Sequence, residues 1–149
     1  MKITISGSVK FAKELVDIYY KLEKMGHQPM MGEDMFAIAD GTSKELTCSP
    51  EEWCATKREA IKWWHDCIKS GDALLVCNFD KNGVKNYIGG NTFLEIGFAH
   101  VNNKKVFLLN PIPEDVPYKD EIKAMAGLII NGDLEKLPTR PGLVGKKNI

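Results

Sequence analysis

The sequence predicts an α/β fold: one parallel five-stranded sheet with helices on both faces. Three observations predict it. Two apolar runs, Ala73-Leu74-Leu75-Val76-Cys77 and Val106-Phe107-Leu108-Leu109, are continuous, as strands buried on both faces are. The stretch between them, Asn86 to Ala99, reads as loop, helix and return, the crossover that parallel strands require. Strand-like and helix-like segments alternate along the rest of the chain, so helices cover both sides of the sheet. With right-handed crossovers the economical strand order is 2-1-3-4-5, a flavodoxin-like arrangement with its switch point between strands 1 and 3.

The first strand is Ile3-Thr4-Ile5 with Met1, followed by a Ser6-Gly7-Ser8 turn. A helix from about Lys10 to Met25 follows. Its apolar stripe is Phe11, Leu15, Ile18, Leu22 and Met25, and Gly26 is its C′ stop. A short strand is expected near His27–Met31, interrupted by Pro29. Gly32 to Thr47 lacks a clear period; Met35–Ala39 could form a helical turn, and the whole stretch reads as a functional flap or a mobile loop. Ser49-Pro50-Glu51-Glu52 opens the next helix with a serine cap, proline at N1 and glutamate at N3. That helix runs to Ser70-Gly71 on an expected buried stripe of Trp53, Ala60, Ile61, Trp64 and Ile68. His65 borders the stripe, and Asp66 falls beside Lys62 as an i−4 ion pair.

Strand 3 is Ala73–Asn78, with Phe79 and Asp80 at its carboxyl end and Lys81-Asn82-Gly83 as a loop. After the crossover helix and the Val106–Leu109 strand, Asn110-Pro111 stops the sheet. A short helix at Tyr118–Met125, a last strand at Leu128–Ile130 and a helical turn at Asp133–Leu137 complete the chain. The expected organisation is therefore a single domain over residues 1–137 with an extended tail over residues 138–149.

Composition narrows the function. The 149 residues are 44% hydrophobic and 27% charged, with 20 Lys+Arg against 20 Asp+Glu and a formal net charge of zero. No basic stripe exists to hold duplex nucleic acid. No segment reads as a signal peptide or as a membrane span, and the four cysteines lack C-x-x-C spacing; a cytoplasmic protein is expected. Three widely separated histidines give no metal cluster, and G-x-G-x-x-G, P-loop and G-x-S-x-G motifs are absent, so no cofactor is expected.

The candidate chemistry lies at the carboxyl ends of the strands, where open α/β sheets bind ligands. Ser6, Gly7 and Ser8 before a helix offer amides and hydroxyls to an anion, with Lys10 nearby; alternatively Ser8 is a plain N-cap. Asn78 and Asp80 flank the same crevice, and Gly89-Gly90 allows a sharp turn or close ligand approach before Asn91. Glu95 has two readings. Thr92-Phe93-Leu94-Glu95 fits a capping box, with Glu95 in the first helical turn; otherwise Glu95 is an ionised nucleophile or sugar ligand at a positive helix end. Asp80 and Glu95, with Asp66 or His65, form an acid–base and nucleophile set suited to cleavage at a sugar's anomeric carbon.

Ile5-Ser6-Gly7-Ser8-Val9-Lys10-Phe11, Gly71–Val76, Gly90-Asn91-Thr92-Phe93-Leu94-Glu95-Ile96-Gly97-Phe98-Ala99 and Lys105–Leu109 together resemble the nucleoside 2-deoxyribosyltransferase superfamily, which includes deoxyribonucleoside 5′-monophosphate N-glycosidases. The resemblance covers nearly the whole chain in order and is specific in the Gly90–Ala99 segment. It implies a flavodoxin-like fold, Glu95 as glycosyl-accepting nucleophile, and homo-oligomers of two or more chains whose sites a neighbouring subunit completes. It also sets the Gly7-Ser8 turn against the sugar or its 5′ substituent. Two departures stand out. The family's aromatic residue near the end of strand 1 is replaced by Ile5-Ser6, with Tyr87 the candidate substitute, and the family's helical acid aligns near Trp64, beside His65 and Asp66.

The expected function is N-glycosidic bond cleavage or transfer on a (deoxy)nucleoside or its 5′-monophosphate. Glu95 would act at C1′, Asp80 on the base or sugar, His65 or Asp66 in proton transfer, and Ser8 and Lys10 on the hydroxyl or phosphate end. The rival expectation is a nucleotide- or nucleotide-sugar-binding module in which Glu95 caps its helix and binds a hydroxyl. A third is an oligomeric scaffold whose glycines serve packing only.

Overall fold

Period-two alternation in the central strands sorts the core into two layers, one on each face of a single sheet. A computed structural model describes residues 1–43 and 48–140. Its strands are β1 (Lys2–Ser6), β2 (Gln28–Met30), β3 (Ala73–Val76), β4 (Lys105–Leu108) and β5 (Leu128–Ile129), all parallel in the order β2-β1-β3-β4-β5. The helices are α1 (Ala12–Lys24), α2 (Glu33–Asp40), α3 (Pro50–Ser70), α4 (Gly90–Val101) and α5 (Lys119–Met125), with 3-10 turns at Val9–Phe11 and Leu134–Lys136. The expected topology is the observed one.

Ile3, Ile5, Ala73, Leu75 and Phe107 pack with Leu15, Ile18 and Leu22 of α1 and Met35 of α2. On the opposite face Leu74, Val76, Val106 and Leu108 pack with Ile68 of α3, Ile96 and Ala99 of α4 and Ile122 of α5. Pro29 is tolerated because β2 is an edge strand, where the missing N–H is not needed by a neighbour. Gly26 stops α1 at φ 83°, the left-handed conformation that a C′ position favours. Among the described residues no helix is long and apolar enough to cross a membrane.

Three expectations are corrected here. The Gly32–Thr47 stretch is not a flap over its described part: Glu33–Asp40 is a helix that buries Met35 and sets Phe36 edge-on to Tyr19, ring centroids 5.1 Å apart. Tertiary packing supplies what a weak period lacks. Residues 44–47 lie outside the described residues, as do 141–149 of the expected tail.

The capping box of α3 is as expected, with Glu52 N–H donating to Ser49 Oγ (3.2 Å) and Ser49 N–H donating to Glu52 Oε2 (2.7 Å). Its expected apolar stripe is not buried. Ile68 is covered, but Trp53 and Ile61 are exposed at 49% and 37%. The reason is length. At 1.5 Å per residue the 21-residue helix is about 31 Å long, while a four-residue strand spans roughly 13 Å. A crossover helix runs against its strands, so the N-terminal half of α3 overhangs the carboxyl edge of the sheet. The expected Asp66–Lys62 pair is also absent: Lys62 pairs with Glu59 at 3.3 Å, and Asp66 with His65.

This division predicts unequal costs along the chain. Leu74→Ala is expected to lose about 2–5 kcal/mol in urea unfolding, as deletion from a closed core does. Trp53→Ala, on the overhang, is expected to lose less than about 1 kcal/mol under conditions that keep the chain monomeric.

Candidate active site

Strand β1 turns Ile3 and Ile5 toward α1, so Thr4 and Ser6 face the α4 side of the sheet. Ser6, the last residue of β1, donates from Oγ to Glu95 Oε2 in a hydrogen bond between buried side chains, and lies 3.5 Å from Thr92 Oγ1. Thr92 and Glu95 are three residues apart on one face of α4 and meet Ser6 together. The Thr4 hydroxyl, two residues back on the same face, is buried without a partner among the described residues.

The helix register decides between the two readings of Glu95. Gly89 is the cap residue of α4, no side chain caps it, and Glu95 is therefore in the second turn rather than at N3. The capping-box reading fails. Only 8% exposed, the Glu95 carboxyl is pushed up by burial to about 7, while the Ser6 hydrogen bond and the positive charge of Lys57 pull it back. Lys57 sits on the overhanging half of α3 with its ammonium 5.5 Å from the Trp53 ring centroid.

Across the switch point the loops after β1 and β3 are tied together. Lys81 Nζ donates to Ser8 Oγ at 2.9 Å, and the Phe11 and Phe79 rings are 5.1 Å apart. Ser8 also caps the Val9–Phe11 turn, accepting from Lys10 N–H at 3.4 Å. Lys81 begins a two-residue hairpin turn in which Lys81 and Val84 exchange backbone hydrogen bonds of 3.0 and 2.9 Å. Asn82 and Gly83 both have positive φ there, 52° and 75°, the pattern that Asn-Gly turns favour. The segment entering α4 is held by Tyr118, whose hydroxyl donates to Ile88 O at 2.5 Å and whose ring stacks on Phe93.

The other expected site residues divide into groups. Asn78 braces two strand ends: its amide donates to Asn110 O (3.0 Å) and Pro111 O (2.9 Å), and its Oδ1 accepts from Asn110 N–H (2.9 Å). Its side-chain groups are occupied in joining the ends of β3 and β4. Asp80 is exposed, and its Oδ1 accepts from Asn86 N–H at 2.8 Å, closing the loop. Gly7 is a packing glycine, since an added Cβ would meet Leu15 Cδ2 at 3.1 Å and Cys77 O at 3.2 Å. Neither Gly89 nor Gly90 has positive φ, so the pair makes no strained turn. A Cβ on Gly89 would meet the Tyr87 ring at 3.1 Å, whereas one on Gly90 would project into open space. Gly90, Asn91 and Lys10 are exposed around the crevice.

Ser6, which stands where the family has its strand-1 aromatic, itself hydrogen-bonds Glu95. His65 and Asp66 stand away from Glu95. His65 Nδ1 is 3.3 Å from Asp66, its Nε2 3.4 Å from Asn102 Nδ2, and its ring lies edge-on to Phe98. Asn102 is seven residues beyond Glu95, roughly 10 Å along the helix direction at 1.5 Å per residue. Within one chain, then, His65 and Asp66 do not share the carboxylate's crevice. Together with Ile61, Lys62 and Phe98 they line a separate shallow groove of about 330 Å³.

Three residues that sequence reasoning passed over belong to the site. Thr92 could have been found by its i, i+3 spacing to Glu95. Lys81 follows Asp80 at the carboxyl end of β3, where ligands bind. Lys57 gave no signal, because only the overhang of α3 brings its charge to bear on Glu95.

No protein-family model matches this chain, and no curated protein matches it significantly. Its fold has a solved counterpart. The chain is similar to the solved structure of the Clostridium botulinum CMP N-glycosidase BcmB, with a TM-score of 0.53 over 87% of this chain and 88% of that one. At 15% identity, that likeness establishes the fold.

Burial of Glu95 makes stability depend on pH. Below pH about 4.5 the carboxyl is protonated folded and unfolded alike, and burial carries no charge penalty. Between about 4.5 and 7 the unfolded chain ionises first, so stability falls, and above about 7 the full penalty stays. A rise from 4.5 to about 7 corresponds to about 3 kcal/mol. Glu95→Gln is therefore expected to gain about that much relative to wild type between pH 4 and pH 8, read by urea unfolding at both.

Proposed function

We propose that this protein cleaves the N-glycosidic bond of a (deoxy)nucleoside or its 5′-monophosphate, with Glu95 acting on C1′. The observation that carries the reading is the buried Glu95 carboxyl, held by Ser6 at the carboxyl edge of the sheet. Such a group suits a reaction in which positive charge develops at an anomeric carbon. The carboxylate stabilises the oxocarbenium-like transition state or captures C1′ as a glycosyl ester, while the C1′–N bond breaks and its electron pair leaves with the base. Water attacking C1′ then frees the sugar and returns the carboxylate, the proton that water loses balancing the one the departed base takes up; a second base in place of water gives transfer. Ser6 positions the carboxylate, Asp80 on the exposed side contacts base or sugar, and Ser8 takes the 5′ end. The fold shared with a CMP N-glycosidase supports the substrate class.

The raised pKa also supports a second reading, a nucleotide-binding module. At and below neutral pH a protonated Glu95 binds a sugar hydroxyl without attacking it. The exposed apolar residues Trp53 and Ile61 on α3 and Leu94 and Val101 on α4 support the further proposal that the protein works as a homo-oligomer.

Free-base release, followed by chromatography over a panel of nucleosides, deoxynucleosides and their 5′-monophosphates, tests the enzyme reading. Wild type is expected to turn over at least one of them, and Glu95→Ala to be slower by roughly 10³-fold or more, the loss typical of a removed nucleophile. Because the nucleophile must be ionised, kcat/KM is expected to climb through pH about 7 and level off above it. Nucleotide binding without release from any substrate would favour the binding module.

A further inference from the structure

With His65 and Asp66 in a groove of their own, the proton that a base leaving C1′ takes up must come from another group. Asp80 is exposed and bound through Oδ1 to Asn86 N–H, and Lys81 is engaged across the switch point with Ser8. Lys57 is placed differently. From Pro50 to Trp63 it is the one residue of α3 that is not exposed. Trp64 and Ile68, seven and eleven residues further on, share its helical face, and both pack into the core. A lysine therefore stands where that inward face runs past the sheet to the edge of the crevice.

The Lys57 ammonium lies 5.5 Å from the Trp53 ring centroid and makes no ion pair among the described residues. An aromatic face steadies a cation without taking up its N–H donors as a carboxylate does. Burial raises the Glu95 carboxyl, and the Ser6 hydrogen bond and the Lys57 charge lower it, so the ammonium is within electrostatic reach of the carboxyl. Resting on the N-glycosidase reading of this crevice, we propose that Lys57 is the general acid of the site, the group that protonates the departing base. As the C1′–N bond breaks, its electron pair leaves with the base. The base takes a proton from Lys57 Nζ, and the lysine becomes a neutral amine. Water attacking C1′ gives its proton to that amine, which restores the ammonium, and the Glu95 carboxylate is freed. One proton leaves with the base and one returns from water.

The leaving group tells a proton donor from a fixed charge. Wild type, Lys57→Arg and Lys57→Met are assayed at about pH 8.5, above the Glu95 range of about 7, so that loss of the lysine charge does not leave the carboxyl protonated. Substrates are the nucleosides, deoxynucleosides and 5′-monophosphates, and the matching p-nitrophenyl glycosides with and without a 5′-phosphate. Nitrophenolate departs without a proton, and arginine keeps its charge but gives up no proton in a protein. Both variants are therefore expected to release base about 10²-fold or more slower than wild type, the scale of general-acid catalysis, yet to keep nitrophenolate release within about fivefold. Undiminished base release by Lys57→Arg would overturn the proposal and leave Lys57 as a charge alone. Equal loss of base and nitrophenolate release would also overturn it, since the damage would then lie in binding or in Glu95. Failure of the N-glycosidase reading looks different: wild type releases neither base nor nitrophenolate, and the proposal falls with it.

Discussion

Burying a carboxyl group removes it from water, and the buried group then needs a partner of its own. In this chain the Ser6–Glu95 hydrogen bond meets that need, and the site is arranged around it. Ser6 is available because β1, an interior strand between β2 and β3, ends there with its side chain turned to the α4 face. Glu95 is available because α4 starts at Gly90, a register that brings Thr92 and Glu95 round together. The Tyr118 hydrogen bond to Ile88 and the Phe93 stack hold the entry to that helix. The Asn78 brace holds the ends of β3 and β4 beside it.

A second constraint is the mismatch between a long helix and short strands. The N-terminal half of α3 has no sheet beneath it, so its apolar residues stay exposed at the edge where the crevice opens. Lys57, on that half, draws Glu95 toward ionisation while burial opposes it. The carboxyl is therefore balanced near neutrality by groups from three separate elements: β1, α3 and α4. Balance of this kind is what a group needs if it must be neutral enough to bury and charged enough to react.

Most of the fold was legible because its signals are local. Continuous apolar strands, the Gly26 stop and the Ser49-Pro50-Glu52 opening each follow from a few adjacent residues, and each is present as read. Helix α2 was less legible, since Met35 and Phe36 find their partners on α1 rather than in their own period. Glu95 could be picked out as a candidate from its place after a strand and two glycines, but its register could not. Gly89 caps the helix without a side chain, while Thr92 imitates a cap. The partners of His65, Asp66 and Asn78 were not legible for a shared reason: sequence spacing assigns a face of an element, not the neighbour that the face meets. Ser6 was read as a substrate ligand, and its contact with Glu95 spans 89 positions of sequence.

The most direct test of this account is a carbon-13 NMR titration of the Glu95 side-chain carboxyl, in wild type and in Ser6→Ala. A midpoint near 7 in wild type, moving higher when the Ser6 hydroxyl is removed, is the expected result. A wild-type midpoint near 4.5 would contradict it by making Glu95 an ordinary solvated carboxylate, and one that Ser6→Ala leaves unchanged would contradict it by removing the dependence on Ser6.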